Sequence, residues 1–264
     1  MRKVFLVAFL AASFTGVCGA QQQLTVVSAA SPNVGVAADS LATVFGPSIS
    51  TETLSALSPP WPVMLGDISI VNVKDSTGTS KSAGILFISQ SQMNIYIPAG
   101  VAPGLATLLF PVTGLPPGVG AAALRQVNVN IQNTAPALFS AAGTGTGVAA
   151  ATAVQIVIPS TTQWPVPVFQ CNQPGNCVAL PIALGVDTPI YVSLYGTGIR
   201  NANSVMVNIG GISVQPTYAG PQNQYPGLDQ INFPLSLNLR GSGLVNVTVT
   251  ADGVISNAVQ LAIQ

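Results

Sequence analysis

Apolar and polar residues alternate in steps of two along much of the chain. In residues 244–263, Val245, Val247 and Val249 alternate with Asn246, Thr248 and Thr250, and Val259, Leu261 and Ile263 resume the pattern after Asp252-Gly253. That period places one apolar face on a strand, and Asp-Gly is a favoured type I′ hairpin turn. "DISIVNVKDSTGTSKSAGILFIS" (67–89) predicts two strands around a turn at 75–81, and "SVMVNIGGISVQPTYAG" (204–220) predicts two strands meeting at Gly210-Gly211. Helical periodicity is almost absent after residue 20, so the expected class is all-β.

The pattern occurs twice. "ADSLATVFGPSIS" (38–50) resembles "VDTPIYVSLYGTGIR" (186–200), and "LGDISIVNV" (65–73) resembles "IGGISVQPT" (209–217). "SQMNIYIP" (91–98) resembles "DQINFPLS" (229–236), and "PGLATLLF" (103–110) resembles "GSGLVNVTV" (241–249). The order is kept at an offset of about 140–150 residues. The expected architecture is two tandem immunoglobulin-like β-sandwich domains, 21–134 and 135–264, each of a size and strand spacing that suit that sandwich. A strand over 148–158 opens the second copy, and 141–147 reads as a flexible Gly/Thr/Ala stretch before it.

The N-terminus changes the picture of where the protein resides. Arg2 and Lys3 precede an apolar run over 4–14, and Cys18-Gly19-Ala20 supplies small residues for cleavage. This predicts a secretory signal peptide, 1–20, too short for a transmembrane helix. Thr15-Gly16-Val17 before Cys18 fits a lipoprotein signal poorly. The chain left after cleavage has 5 basic and 7 acidic side chains, a net charge of −2. It has no basic patch for nucleic acid and no transmembrane segment. A membrane β-barrel fits poorly with 21 prolines and irregular strand spacing. The expected location is therefore outside the cytoplasm: extracellular, cell-surface or periplasmic.

Beyond the signal only Cys171 and Cys177 remain, in "CNQPGNC". Export predicts a disulfide between them, across a type II turn at Gln173-Pro174-Gly175-Asn176. The chain has no His, so no Ser-His-Asp or Cys-His arrangement can form. A two-carboxylate hydrolase would draw on Asp39, Glu52, Asp67, Asp75, Asp187, Asp229 and Asp252, among which no pair has a suggestive spacing. No metal or cofactor is expected, a calcium site of scattered loop oxygens being the alternative left open. The expectation is a non-enzymatic protein.

"LYGTGIRN" (194–201), "IGG" (209–211), "YPGLDQINFPL" (225–235) and "LRGSGLVNVTVTADGVISN" (239–257), in that order, resemble an uncharacterised C-terminal domain family of secreted acidobacterial proteins. The resemblance covers 136–264 and, more weakly, 24–134. It implies export and a sandwich related to the IPT/TIG immunoglobulin-like group, and it implies no reaction.

Two sets of residues stand out as candidates. In "YPGLDQINFPL", Ile231, Phe233 and Leu235 point inward, and Gln230 and Asn232 lie on the other face. The first copy keeps Gln92 and Asn94 outside Met93, Ile95 and Ile97, but has Ser91 where the second has Asp229. The repeated amides predict a structural motif bonding loop backbone, and the unrepeated Asp229 is expected to be dispensable for folding. Trp61 and Trp164, in Pro-rich loops, and Tyr218 and Tyr225, flanking "AGPQNQ", are candidate ligand or partner contacts. Two functions follow. One is surface interaction, or a structural role, with an unknown protein or glycan at the cell exterior. The other is a carbohydrate-binding module using these aromatic rings.

Overall fold

The computed structural model describes residues 23–32, 35–112 and 123–264; the expected signal peptide lies outside them. The described chain is all-β, and its one helical segment is a 3-10 turn, Leu237–Leu239.

Residues 25–132 form two facing five-stranded sheets. One runs in the order Thr25–Ser28, Ser40–Phe45, Gln92–Ile97, Gly84–Ile88, Leu54–Ser55; the other runs Val36–Ala37, Ala123–Gln132, Gly104–Val112, Asn72–Lys74, Ser80–Ser82. Alternate residues of both meet in one core, with Val44, Ile85, Met93 and Ile95 from the first sheet and Val73, Leu108, Phe110 and Ile131 from the second. Residues 137–263 repeat this arrangement. The order Ala151–Val157, Ile190–Thr197, Asp229–Pro234, Tyr218–Pro221 faces Pro181–Ile182, Val259–Ile263, Gly243–Ala251, Val205–Ile209, Ile212–Val214. Their core holds Val192, Leu194, Ile231, Phe233, Val247 and Leu261. In each half a two-residue edge strand pairs in parallel, Val36 with Ile131 and Ile182 with Ile263, while its neighbours are antiparallel. No residue belongs to both cores.

Turn chemistry sets the registers. Asp252 and Gly253 both take positive φ and join Ala251 to Val254, as a type I′ turn requires. Gly210-Gly211 does the same between Ile209 and Ile212. Gly175, at φ +81°, closes the hairpin Phe169–Gln173/Asn176–Ala179, at whose tip Cys171 and Cys177 form the disulfide.

Three sequence expectations need correction. Residues 67–89 hold three strands, not two. After Ser80–Ser82 the chain crosses at the fully buried Ala83 into Gly84–Ile88 of the facing sheet. The match of 65–73 to 209–217 is displaced as well. By their strand neighbours, Asn72–Lys74 corresponds to Val205–Ile209, and Ser80–Ser82 to Ile212–Val214. Residues 141–147 are a pinned loop rather than a flexible one. The Ser140 hydroxyl accepts from the Thr144 and Gly145 amides, Asn257 donates to the Gly145 carbonyl, and Gln260 donates to that of Gly147. The glycines serve the φ values of +71°, +77° and +78° that this loop needs.

Candidate functional site

The two motifs most prominent in the second half, 194–201 and 225–235, meet where the halves join. The paired strands Ile190–Thr197 and Asp229–Pro234 place Gly196 opposite Asp229, so the loop leaving the first strand passes over the Asp229 carboxylate. Asp229 is fully buried. Its Oδ2 accepts from the Ile199 and Arg200 amides at 2.7 and 3.2 Å, and its Oδ1 from Arg200 Nε at 2.6 Å. Gly198, at φ +73°, bends the loop inward, and a Cβ there would lie 2.2 Å from the Ala135 carbonyl oxygen. Burial pushes the Asp229 carboxyl above the ordinary carboxylate value, against the pull of Arg200 and the two amides.

The rest of the guanidinium reaches across the junction. Arg200 Nη1 donates to Asp39 Oδ1 at 3.0 Å, and Nη2 to the Leu228 carbonyl at 2.6 Å. Asp39 Oδ1 also accepts from the Tyr96 hydroxyl at 2.7 Å. Desolvation, together with that bond and the nearby Asp39 charge, raises the Tyr96 phenol to about 12. Further bonds also cross from one half to the other, among them Leu41 N–H to Thr197 Oγ1, Asn201 Nδ2 to the Ala38 carbonyl, and Trp61 Nε1 to the Pro226 carbonyl. The Thr197 hydroxyl in turn donates to the Gly227 carbonyl at 2.7 Å. Gly227 sits at φ +88°, and a Cβ on it would lie 2.7 Å from Leu41 Cδ2, so the glycine of "YPGLDQ" lets the halves approach.

The candidate residues from sequence are thus distributed among different tasks. Asp229 was expected to be dispensable and is instead the buried anchor of the junction loop. Its role was hidden because the partner, Arg200, ends a repeat segment whose first-copy counterpart ends in Ser50 rather than a cation, and because the first copy uses another acid. There Asp67, from a different loop, accepts from the Ser50 hydroxyl and from the Thr51 amide and hydroxyl. Burial alone would raise the Asp67 carboxyl, but these bonds hold it below its ordinary value.

The amides do not bond loop backbone as expected. Gln92 Nε2 donates to Asn94 Oδ1 at 2.8 Å, and Gln230 Nε2 to Asn232 Oδ1 at 2.9 Å, each pair forming a rung along its own strand. Thr43 Oγ1 adds a second donor to Asn94 at 2.9 Å. Loop backbone is served instead by Asn257, which clasps Leu138 through both its N–H and its carbonyl. Sequence reasoning missed Asn257; its signal was only its place at the end of the last quoted motif.

Trp61 is half-buried and stacks on Tyr225 across the junction, with ring centroids 6.2 Å apart and an interplanar angle of 18°. Trp164 is 58% exposed on the outer strand Thr162–Val166. Tyr218 is exposed on the edge strand Tyr218–Pro221, its hydroxyl donating to the Pro221 carbonyl. The four rings are not brought to one surface: Trp61 and Tyr225 belong to the junction, and Trp164 and Tyr218 lie on opposite edge strands of one sheet.

Other carboxylates organise their own turns. Asp75 accepts from the Thr77 hydroxyl and amide and from the Thr79 and Ala102 amides, and is held down to about 2 by them. Asp252 accepts from the Asn203 and Ser204 amides. Among the described residues, no three His, Cys, Asp or Glu side chains cluster to hold a metal ion. Among the described residues, no helix is long and apolar enough to cross a membrane. Comparison with protein-family models and with curated proteins finds no match for the chain.

Proposed function

We propose that this is an exported, non-enzymatic β-sandwich protein that acts at the cell exterior as a stiff two-unit module, in surface interaction or as a spacer. The observation that carries the reading is the bridge of Arg200 between Asp229 of its own half and Asp39 of the other. A guanidinium whose side chain is 8% exposed and shared by two carboxylates fixes both angle and distance, because its planar fork tolerates little reorientation. Five carboxylates — Asp39, Asp67, Asp75, Asp229 and Asp252 — are occupied by turns or ion pairs, which favours architecture over acid-base chemistry. Export is supported by the Cys171–Cys177 disulfide, a bond that persists in oxidising compartments, and by the resemblance to secreted acidobacterial domains.

Nitroxide labels at Leu105→Cys and Leu244→Cys, both exposed strand positions in different halves, test the stiffness. The distance distribution is expected to be narrow and to broaden when Asp39→Asn and Trp61→Ala are combined. A broad distribution in the parent would reject the module as a stiff one. Mass spectrometry of the exported chain is expected to find Gln21 first; a lipidated Cys18 would replace free export with membrane anchoring.

A further inference from the structure

The junction leaves a cleft of about 440 Å³ beside the first amide rung, with walls from both halves. Thr43, Phe45, Gln92 and Asn94 line it from one side, and Phe139 and Thr144 from the other. We infer that this cleft is a binding site for a neutral saccharide. The inference goes beyond the stiff-module reading, since sugar binding can fail while the junction stays rigid.

The chemistry of the walls selects the ligand. No lining side chain is charged, so neither a phosphate nor a carboxylate finds a counter-charge. Asn94 Oδ1 is saturated by Gln92 Nε2 and Thr43 Oγ1. That fixes the amide orientation, and leaves Asn94 Nδ2–H and Gln92 Oε1 without protein partners among the described residues. A donor and an acceptor on neighbouring lining residues suit a hydroxyl group, which both accepts and donates. Phe45, 42% exposed, and Phe139 supply apolar ring surface for the C–H faces of a sugar. The volume lies within the range of small-ligand pockets.

A neutral peptide is the competing occupant, because the edge strand Thr25–Ser28 also borders the cleft, but the amide rung itself gives it no strand to pair with. Gln92–Ile97 is paired on both sides, with Ser40–Phe45 and with Gly84–Ile88, so it offers no free edge for a peptide strand. The second half provides an internal control. Its Gln230–Asn232 rung has the same bond, but lines none of the clefts described.

The chain from residue 21 onward is titrated, by ligand-observed NMR and calorimetry, with cellohexaose, xylohexaose, mannohexaose, chitohexaose, hexagalacturonate and a neutral Gly/Ser hexapeptide. At least one neutral oligosaccharide is expected to bind, and hexagalacturonate and the peptide are not. Phe45→Ala and Asn94→Ala are each expected to weaken that binding about tenfold or more, and Asn232→Ala to leave it unchanged. Phe45 is exposed and outside the core, so its variant keeps the test valid if Asn94→Ala fails to fold. The inference is overturned if none of the neutral sugars binds. Binding that survives Phe45→Ala, equal loss in Asn232→Ala, or preference for the peptide or the acidic sugar overturns it as well.

Discussion

Two residues of the same motif carry unequal weight because their hydrogen bonds end in different places. Asp229 satisfies two backbone amides and Arg200 Nε while fully buried, so removing it strands those amides and leaves Arg200 with only Asp39 and the Leu228 carbonyl. Asp229→Ala is expected to cost about 3–5 kcal/mol, as for one partner removed from a buried pair. The Asn232 side chain accepts from Gln230 on the same strand and, among the described residues, from no other group, so Asn232→Ala is expected to cost less than about 1 kcal/mol. Denaturant titration decides between them, and equal losses would refute the assignment. Acid stability separates another residue. Asp75, held to about 2, lies below its unfolded value near 3.8, so its contribution is complete above pH 4 and is lost as pH falls towards 2. Asp67, also lowered, acts in the same direction. Asp229 is raised by burial and acts in the opposite sense: its protonated form is the one favoured by folding, and that contribution fades as pH rises through its folded value. The contribution of Asp75 is therefore read from the difference between the parent and Asp75→Asn. Their stabilities are expected to converge as pH falls from 4 to 2.

Strands and turns were the legible elements, because a period of two and a Gly-containing turn are local facts. The inward residues Met93, Ile95, Ile97, Ile231 and Phe233 are all fully buried, and the turns at Asp252-Gly253, Gly210-Gly211 and Pro174-Gly175 each have the positive φ their sequences require. What escaped was whatever depends on a partner distant along the chain. Arg200 meets Asp39, 161 residues away, and Trp61 meets Pro226, 165 residues away; no local pattern announces either contact. The sheet-to-sheet crossing at Ala83 escaped because the alternation continues through it. The disulfide hairpin was legible for the opposite reason: it pairs only with itself. Its closed loop is short, giving about 2 kcal/mol by chain entropy, and it stands outside the main sheets. Cys171→Ser with Cys177→Ser is expected to lose amide protection in residues 169–179 while the global melting midpoint barely moves. A large cooperative drop in that midpoint would place the hairpin in the folding core.

At the scale of the molecule, each half buries its own core, while an ion pair and hydrogen bonds beside one ring stack tie the two together, and polar contacts hold angle better than they supply stability. Chains cut between Thr134 and Ala135 are therefore expected to give two fragments that each fold cooperatively, since each keeps both of its sheets and is of independent domain size. Each should melt below the intact chain. The first fragment exposes the Leu41 amide and Trp61, and the second leaves Arg200 with Asp229 but without Asp39. Trp61 is the one tryptophan of fragment 21–134, so its fluorescence reports the lost interface directly. Without Tyr225 and the Pro226 carbonyl its emission should shift to the red, and adding the second fragment should reverse the shift if the halves dock without a covalent link. A first fragment that folds with unshifted Trp61 emission would mean that the junction contributes nothing to the environment of that ring. Two fragments that both fail to fold would mean that the two cores are stable only as a pair, and the interface would then be part of the folding unit.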